Sequence, residues 1–384
     1  MEKLPAPTPE EQAKSEQLLE KTKWAIKQQG FLAFDEYLDW VMYAPELGYY
    51  TGNQPKIGSK GDFITAPALH PIFAQTLAHQ LTELLSLTEG NIYEFGAGTG
   101  QLAAELLRFL PHHSVKNYYI IEISPYLSSL QCETIRTLAP HQAHKLHHLK
   151  NLPTWFNGVI IGNEVLDAIP FNLVSKSNNN YFEMGVTLSS ASQLSLASRP
   201  MPAGYLREEA ESYLNSCPAP YQTELHLRQK AFIRTICDRL ATAAVLFIDY
   251  GFDAAQYYHP QRTMGTFIGH YHHHTIMDPF FRPGLTDLTA HVNFSAIAES
   301  VTETSTDLVG YTSQSNFLLN LGIIDFLEHY ANTDNEENYW RASQACQTLL
   351  QPHEMGELFK VIAFTKNIEL DWQGFSNNDW THKL

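Results

Sequence analysis

The seven residues Glu94-Phe95-Gly96-Ala97-Gly98-Thr99-Gly100 constrain this chain more than any other segment. Glycines at 96, 98 and 100 remove the Cβ where a chain must turn tightly or let a ligand approach its backbone. Asn91–Phe95 reads as a short buried strand running into them, and Leu102–Leu110 as the helix they open. Tyr118–Ile123 is a second apolar strand. Ser124 followed by Pro125 predicts a capped helix to Leu138, and Gly158–Gly162 a third strand. Strand, helix, strand, helix, strand implies an α/β fold, Rossmann-like, with a mostly parallel sheet.

The flanks are less regular. Thr8, Pro9 and Glu11 form a capping box for a helix that Gly30 ends. Residues 31–66 are aromatic and turn-rich. Pro71–Ser86 carries an apolar stripe of Ile72, Phe73, Leu77, Leu81 and Leu84. Residues 172–222 predict a hairpin and then a long surface excursion. A helix over about Glu224–Leu240 leads to the apolar strand Ala244–Tyr250. Residues 262–296 read as loop and strand. Helices near 315–330 and 338–350 precede a last strand, Phe359–Phe364. The expected organisation is an N-terminal helical cap region over 1–88 and a Rossmann-like domain over 89–384. Insertions are expected at about 171–241 and 252–300.

Lys and Arg number 25 against 41 Asp and Glu, a formal charge of −16. That balance argues against a surface for nucleic acid or anionic lipid and suits a basic protein partner. The four cysteines are scattered, as in a reducing compartment. No apolar run approaches the roughly 20 residues of a membrane helix, and the N-terminus lacks an apolar signal core. A cytoplasmic location without membrane insertion is expected. His270, His272, His273 and His274 cluster, but no carboxylates flank them at ligand spacing, so no metal is expected.

A dinucleotide turn would need G-x-G-x-x-G, and position 101 is glutamine. S-adenosylmethionine (SAM) carries an ammonium and a sulfonium but no phosphate, so an acid such as Glu94 at the strand end suits it better. Glu122, at the end of the next strand, can accept both ribose hydroxyls of an adenosine. Asn163-Glu164-Val165-Leu166-Asp167-Ala168-Ile169-Pro170 follows a buried strand, where ligands of open α/β sheets sit. Its amide and two carboxylates could clamp a guanidinium and orient one nitrogen. Capping of a helix start is the plainer use of Asn163 or Asp167. Asp249 and Tyr250 follow a core strand, and Asp287 and His291 lie in a polar turn. All four are candidates for the substrate side.

With these segments in view, the chain resembles the MidA family. The resemblance rests on Gly48-Tyr49-Tyr50, Gly61-Asp62-Phe63-Ile64-Thr65-Ala66-Pro67, Glu94–Gly100, Asn163–Pro170, Ile248-Asp249-Tyr250-Gly251 and Asp287-Leu288-Thr289-Ala290-His291-Val292. It implies a class I SAM-dependent methyltransferase fold with a seven-stranded sheet, an N-terminal helical cap and an inserted substrate-side region. It implies SAM bound by Glu94, Gly96, Gly98, Gly100, Glu122 and Asn163, with Gly61, Asp62 and Thr65 closing over it. Glu164, Asp167 and Asn163 would be the catalytic residues. Two positions depart from the family pattern: His272, where arginine is usual, and Asn293, where aspartate is usual.

The expected function is methylation of an arginine on a protein, of the kind needed for respiratory complex I assembly, with a complex I subunit as partner and a homodimer as assembly. The rival readings are a small-molecule methyltransferase and a SAM-binding assembly scaffold with little turnover. An NAD-dependent oxidoreductase ranks below them on glycine spacing.

Overall fold

The computed structural model describes residues 4–52, 65–333 and 335–384. Gly61 and Asp62 lie outside the described residues. The chain divides into two compact units. One comprises Met1–Phe63, Leu166–Phe232 and Phe252–Ala296. The other comprises Ile64–Val165, Ile233–Gly251 and Ile297–Leu384.

The second unit is built on seven strands: β1 (Asn91–Phe95), β2 (Asn117–Ile121), β3 (Leu146–Leu149), β4 (Phe156–Asn163), β5 (Leu240–Phe252), β6 (Asp307–Ser313) and β7 (Phe359–Lys366). Their order is β3-β2-β1-β4-β5-β7-β6. The first five are parallel, β7 is antiparallel to β5, and β6 is antiparallel to β7. This is the mostly parallel class I methyltransferase sheet expected from the sequence. Its central strands are buried on both faces, so they read as continuous apolar runs: all five residues of β1 are buried, as are Val159–Ile161 and Ala243–Ile248. Helices α1 (Ile72–Ser86), α2 (Gln101–Phe109) and α3 (Pro125–Leu138) belong to the same unit. Ser124 caps α3 by accepting from the Leu127 N–H, as the Ser-Pro pair predicts.

The first unit opens with the helix Pro9–Gln29, whose capping box of Thr8 and Glu11 forms as expected and whose last turn ends at left-handed Gly30. The described part of 31–66 at residues 31–52 holds more order than the turn-rich composition suggests. The helix Phe34–Tyr43 buries Phe34, Tyr37, Leu38, Val41 and Met42. The hairpin expected at the start of 172–222 forms from Asn172–Ser177 and Asn180–Leu188, but in place of the surface excursion expected after it the stretch continues as an antiparallel sheet. Asn172–Ser177, Asn180–Leu188, Leu194–Pro200 and Tyr221–Leu225 pair within it, and the helix Tyr205–Leu214 packs beside them. The helix expected from Glu224 starts only at Leu227, because Tyr221–Leu225 is taken up in pairing with 172–176. Pro202, Pro218 and Pro220, with Ser189, Ser190 and Ser192, occupy its connections and give the stretch its loop-like composition.

Candidate functional site

In the second unit the predicted residues gather at the carboxyl ends of β1, β2, β4 and β5, where open parallel sheets bind ligands. Gly96, Gly98 and Gly100 adopt φ of 62°, 51° and 82°, a left-handed run that side chains resist. Space is as tight as conformation. A Cβ on Gly96 would lie 2.8 Å from Val165 Cγ2, and one on Gly100 would lie 2.9 Å from the Gln131 Cα. Thr65 stands at the start of the short helix Ala66–Leu69, which packs against α2.

Glu94 is the one acid inside the buried strand β1, 2% exposed. Its Oε2 accepts from the Tyr118 hydroxyl at 2.7 Å. Burial pushes its carboxyl up to about 7, against the pull of that hydrogen bond.

Glu122 directly follows β2. Its carboxylate accepts from the Ser124 N–H at 2.7 Å and from Gln131 Nε2 at 3.0 Å. Gln131 Nε2 also donates to the Gly98 carbonyl at 3.0 Å, while His148 Nε2 contacts Gln131 Oε1 at 2.8 Å. One fully buried amide thus ties the glycine turn to the acid expected to bind ribose. Sequence reasoning missed Gln131. The only signal was a polar residue on the inner face of α3.

Asn163 ends β4. Its Nδ2 donates to Glu164 Oε1 at 3.0 Å, and its buried Oδ1 meets no partner among the described residues. Glu164 has φ 55°, uncommon for a side chain of this length and the kind of strain that collects at functional sites. The turn is held on both sides: Glu164 N–H donates to the Ile248 carbonyl at 2.9 Å, and Val165 N–H to Asp249 Oδ2 at 3.0 Å. Asp249, fully buried, also accepts from the Tyr250 N–H at 2.9 Å. Expected on the substrate side, Asp249 serves in this geometry as a clamp on the Glu164 turn. SAM fits these residues: an orphaned buried acceptor at Asn163 suits an ammonium, and the glycine turn leaves the backbone bare where a side chain would stand.

The first unit assembles a second group. Tyr43 and Tyr50 stack at 5.5 Å between centroids. Tyr43 donates to the Ala168 carbonyl at 2.8 Å, and Tyr50 to Asp287 Oδ1 at 3.1 Å. Burial raises both phenol pKa values, and the charges of Asp167 and Asp287 raise them further. Asp287, 3% exposed, thus meets Tyr50 directly, and Asp167, 6% exposed, precedes the Ala168 whose carbonyl accepts from Tyr43. Neither tyrosine was singled out from spacing, although Tyr50 lies in a quoted motif. His291 stacks face to face on Phe252 at 5.0 Å, with its N–H on Thr266 Oγ1.

The two departures have local accounts. His272 and His273, at φ 45° and 63°, form the two-residue turn of the hairpin Ile268–Tyr271 with His274–Ile276. Asn293 is fully buried, accepting from the Ala296 N–H and donating to the Tyr258 hydroxyl, both at 3.3 Å.

Among the described residues, no helix is long and apolar enough to cross a membrane.

Comparison with known proteins agrees with this fold. The crystal structure of a superfamily protein from Burkholderia thailandensis bound to S-adenosyl-homocysteine is 43% identical, with a TM-score of 0.94 and full coverage of both chains. A native crystal structure from the same organism gives 43% and 0.91, again over both whole chains. The mitochondrial protein arginine methyltransferase NDUFAF7 of Homo sapiens is 25% identical, covering 94% of this chain and 86% of its own. Its Danio rerio counterpart is 24% identical over 89% and 85%. The profile of the S-adenosyl-L-methionine-dependent methyltransferase family Methyltransf_28 matches residues 74–312. The chain therefore belongs to a MidA-like family of SAM-dependent methyltransferases, with SAM as its cofactor.

Proposed function

We propose that the chain methylates an arginine side chain of a protein partner. The observation that carries this reading is the group of Asp167, Asp287, Tyr43 and Tyr50. Two carboxylates around stacked phenol rings complement a flat cation with several N–H donors, the description of a guanidinium. The charge of −16 and the arginine specificity in the names of the mitochondrial relatives support it.

SAM supplies an electrophilic methyl group when bound. Gly96, Gly98, Gly100, Glu122 and Asn163 would hold it, and Thr65 would border it. Glu164 and Asp167, three residues apart in the sequence, are the carboxylates proposed to orient the guanidinium. Their carboxylates do not deprotonate free arginine, whose pKa exceeds about 12, so their contribution is alignment. The strained turn at Glu164, clamped by Asp249, fixes one of these carboxylates before substrate arrives.

The test incubates the purified chain with methyl-labelled SAM and an arginine-bearing protein extract, followed by mass spectrometry for methylarginine. Glu164→Gln is expected to cut transfer by about 100-fold, the loss of one alignment group, with SAM affinity unchanged by calorimetry. Label only in small molecules would replace the arginine reading. Full transfer by the variant would remove Glu164 from the mechanism.

A further inference from the structure

The unit that holds the Asp167–Asp287 group also buries a hydrogen-bonded chain that methyl transfer, as described above, does not use. Glu224, on the strand Tyr221–Leu225, is fully buried. Its carboxylate accepts from the N–H groups of Thr266 and Phe267 at 3.1 and 3.0 Å and from the Tyr257 hydroxyl at 2.9 Å. The Tyr257 oxygen meets His226 Nε2 at 2.9 Å. A carboxylate is the stronger acceptor and takes the phenol proton. Towards His226 the phenol oxygen then only accepts. His226 therefore donates through Nε2 and carries its lone pair on Nδ1. Burial first, and His291 second, bring the His226 pKa down to about 3, which keeps the ring neutral.

That Nδ1 is buried and meets no partner among the described residues. The same holds for Gln229 Oε1 and Thr289 Oγ1. These residues are 4%, 1% and 1% exposed, so each orphaned atom is costly to leave without a hydrogen bond. Their placement is not scattered. Lys230 N–H bonds the His226 carbonyl at 3.0 Å, so helical geometry already holds at His226, and Gln229 three residues on shares its side of the helix Leu227–Asp238. The Gln229 amide donates to the carbonyl of Leu166, next to Asp167, at 2.5 Å. Thr289 follows Asp287 by two residues in one strand, so both side chains leave the same face.

We infer that His226 Nδ1, Gln229 Oε1 and Thr289 Oγ1 form a subsite that accepts hydrogen bonds from a guanidinium of the methyl acceptor, an inference that rests on the arginine reading above. Three neutral acceptors beside two carboxylates match a group that only donates. A guanidinium presents five N–H bonds in one plane, enough to serve both sets, whereas an ammonium has three. The chain Glu224–Tyr257–His226 gives the subsite its polarity by fixing which imidazole nitrogen is the acceptor.

The test uses the full chain labelled with 15N-histidine and titrated with methylguanidinium chloride. The His226 Nδ1 resonance is expected to move saturably. Thr289→Val, which removes the hydroxyl and keeps the shape, is expected to weaken methylguanidinium binding roughly 10-fold, as for one buried hydrogen bond to a charged group, with SAM affinity unchanged. An Nδ1 signal that stays put throughout the titration overturns the subsite and marks a structural water only. A signal moved by methylammonium but not by methylguanidinium overturns the guanidinium assignment. The two readings fail separately: arginine methylation with an unmoved signal removes the subsite alone, and a moved signal in a chain that methylates no arginine removes the arginine reading alone.

Discussion

The glycine-turn region and the aromatic–carboxylate region, proposed above to hold SAM and the methyl acceptor, are built from different materials. Around the glycine turn most of the work is done by backbone, in a left-handed run at Gly96, Gly98 and Gly100, with Glu122 and Gln131 bracing it from the next strand and helix. Around Tyr43 and Tyr50 it is done by side chains drawn from distant segments, with Tyr50 reaching Asp287 across 237 positions. The first arrangement is stiff and tolerates little change at a glycine. The second can be altered one functional group at a time. SAM offers the same shape to any enzyme, so a backbone cradle suits it. An acceptor is particular to each enzyme, and replaceable side chains suit that.

The comparison breaks most readily at Gly98. A valine there would have to adopt φ 51°, which a β-branched residue resists. Gly98→Val is expected to lower SAM affinity by at least about 100-fold in calorimetry, given roughly 1–2 kcal/mol for the left-handed backbone plus the lost approach of ligand to backbone. The far-ultraviolet circular dichroism should stay that of the wild type. SAM affinity within a few fold of wild type would mean that the turn is not the cradle.

The same contrast decides what could be read from sequence. The glycine turn, the Ser124 cap, the Thr8–Glu11 capping box and the strands β1, β2, β4, β5 and β7 follow local rules, in which a few adjacent residues state their own conformation. Strand β3, with its two histidines, sits half-exposed at the sheet edge and carries no apolar run, so nothing announced it. The helix Phe34–Tyr43 was hidden by aromatic residues that favour strands as much as helices. Tyr43, His226 and Gln229 carry no motif. That Tyr43 reaches the Ala168 carbonyl and Gln229 the Leu166 carbonyl, on either side of Asp167, is a property of tertiary packing, which one sequence does not display.

Glu94 sharpens the comparison from the side of electrostatics. Its carboxyl is pushed up from the ordinary 4.5 to about 7 by burial, so the fold prefers it protonated. The stability it contributes is fully present below 4.5 and is lost as pH rises through about 7. The difference amounts to on the order of 3 kcal/mol. Glu94→Gln is expected to remove that fall, so its denaturation midpoint should overtake that of the wild type between pH 5 and pH 8. Parallel pH profiles for the two proteins would show that Glu94 is ionised in the fold and available to a cation.

Gln131→Leu addresses the bracing of the cradle. It removes one amide donor from both the Gly98 carbonyl and Glu122 Oε2. SAM affinity is expected to fall about 10-fold, through a Glu122 carboxylate less well oriented for ribose, at the usual worth of one charge-assisted hydrogen bond. An affinity unchanged within twofold would make Gln131 a packing residue only.

The smallest expected effect falls in the other region, at Asn293. Its amide both accepts from the Ala296 N–H and donates to the Tyr258 oxygen, leaving the Tyr258 proton for the Glu224 carbonyl at 3.3 Å. Aspartate, the residue usual in the family, keeps the acceptor for Ala296 but has no donor when ionised. The single Tyr258 proton would then have to serve either residue 293 or Glu224, and one bond would be lost. Asn293→Asp is therefore expected to cost about 1 kcal/mol, a lowering of the denaturation midpoint by a few degrees. The pairing of Asn293 with Tyr258 predicts a specific rescue: Tyr258→Phe in the Asn293→Asp background removes the contested proton and should make the two losses less than additive. Additive losses would show that residues 293 and 258 do not compete for the Tyr258 proton, and an Asn293→Asp midpoint equal to that of the wild type would show that this departure from the family pattern is neutral.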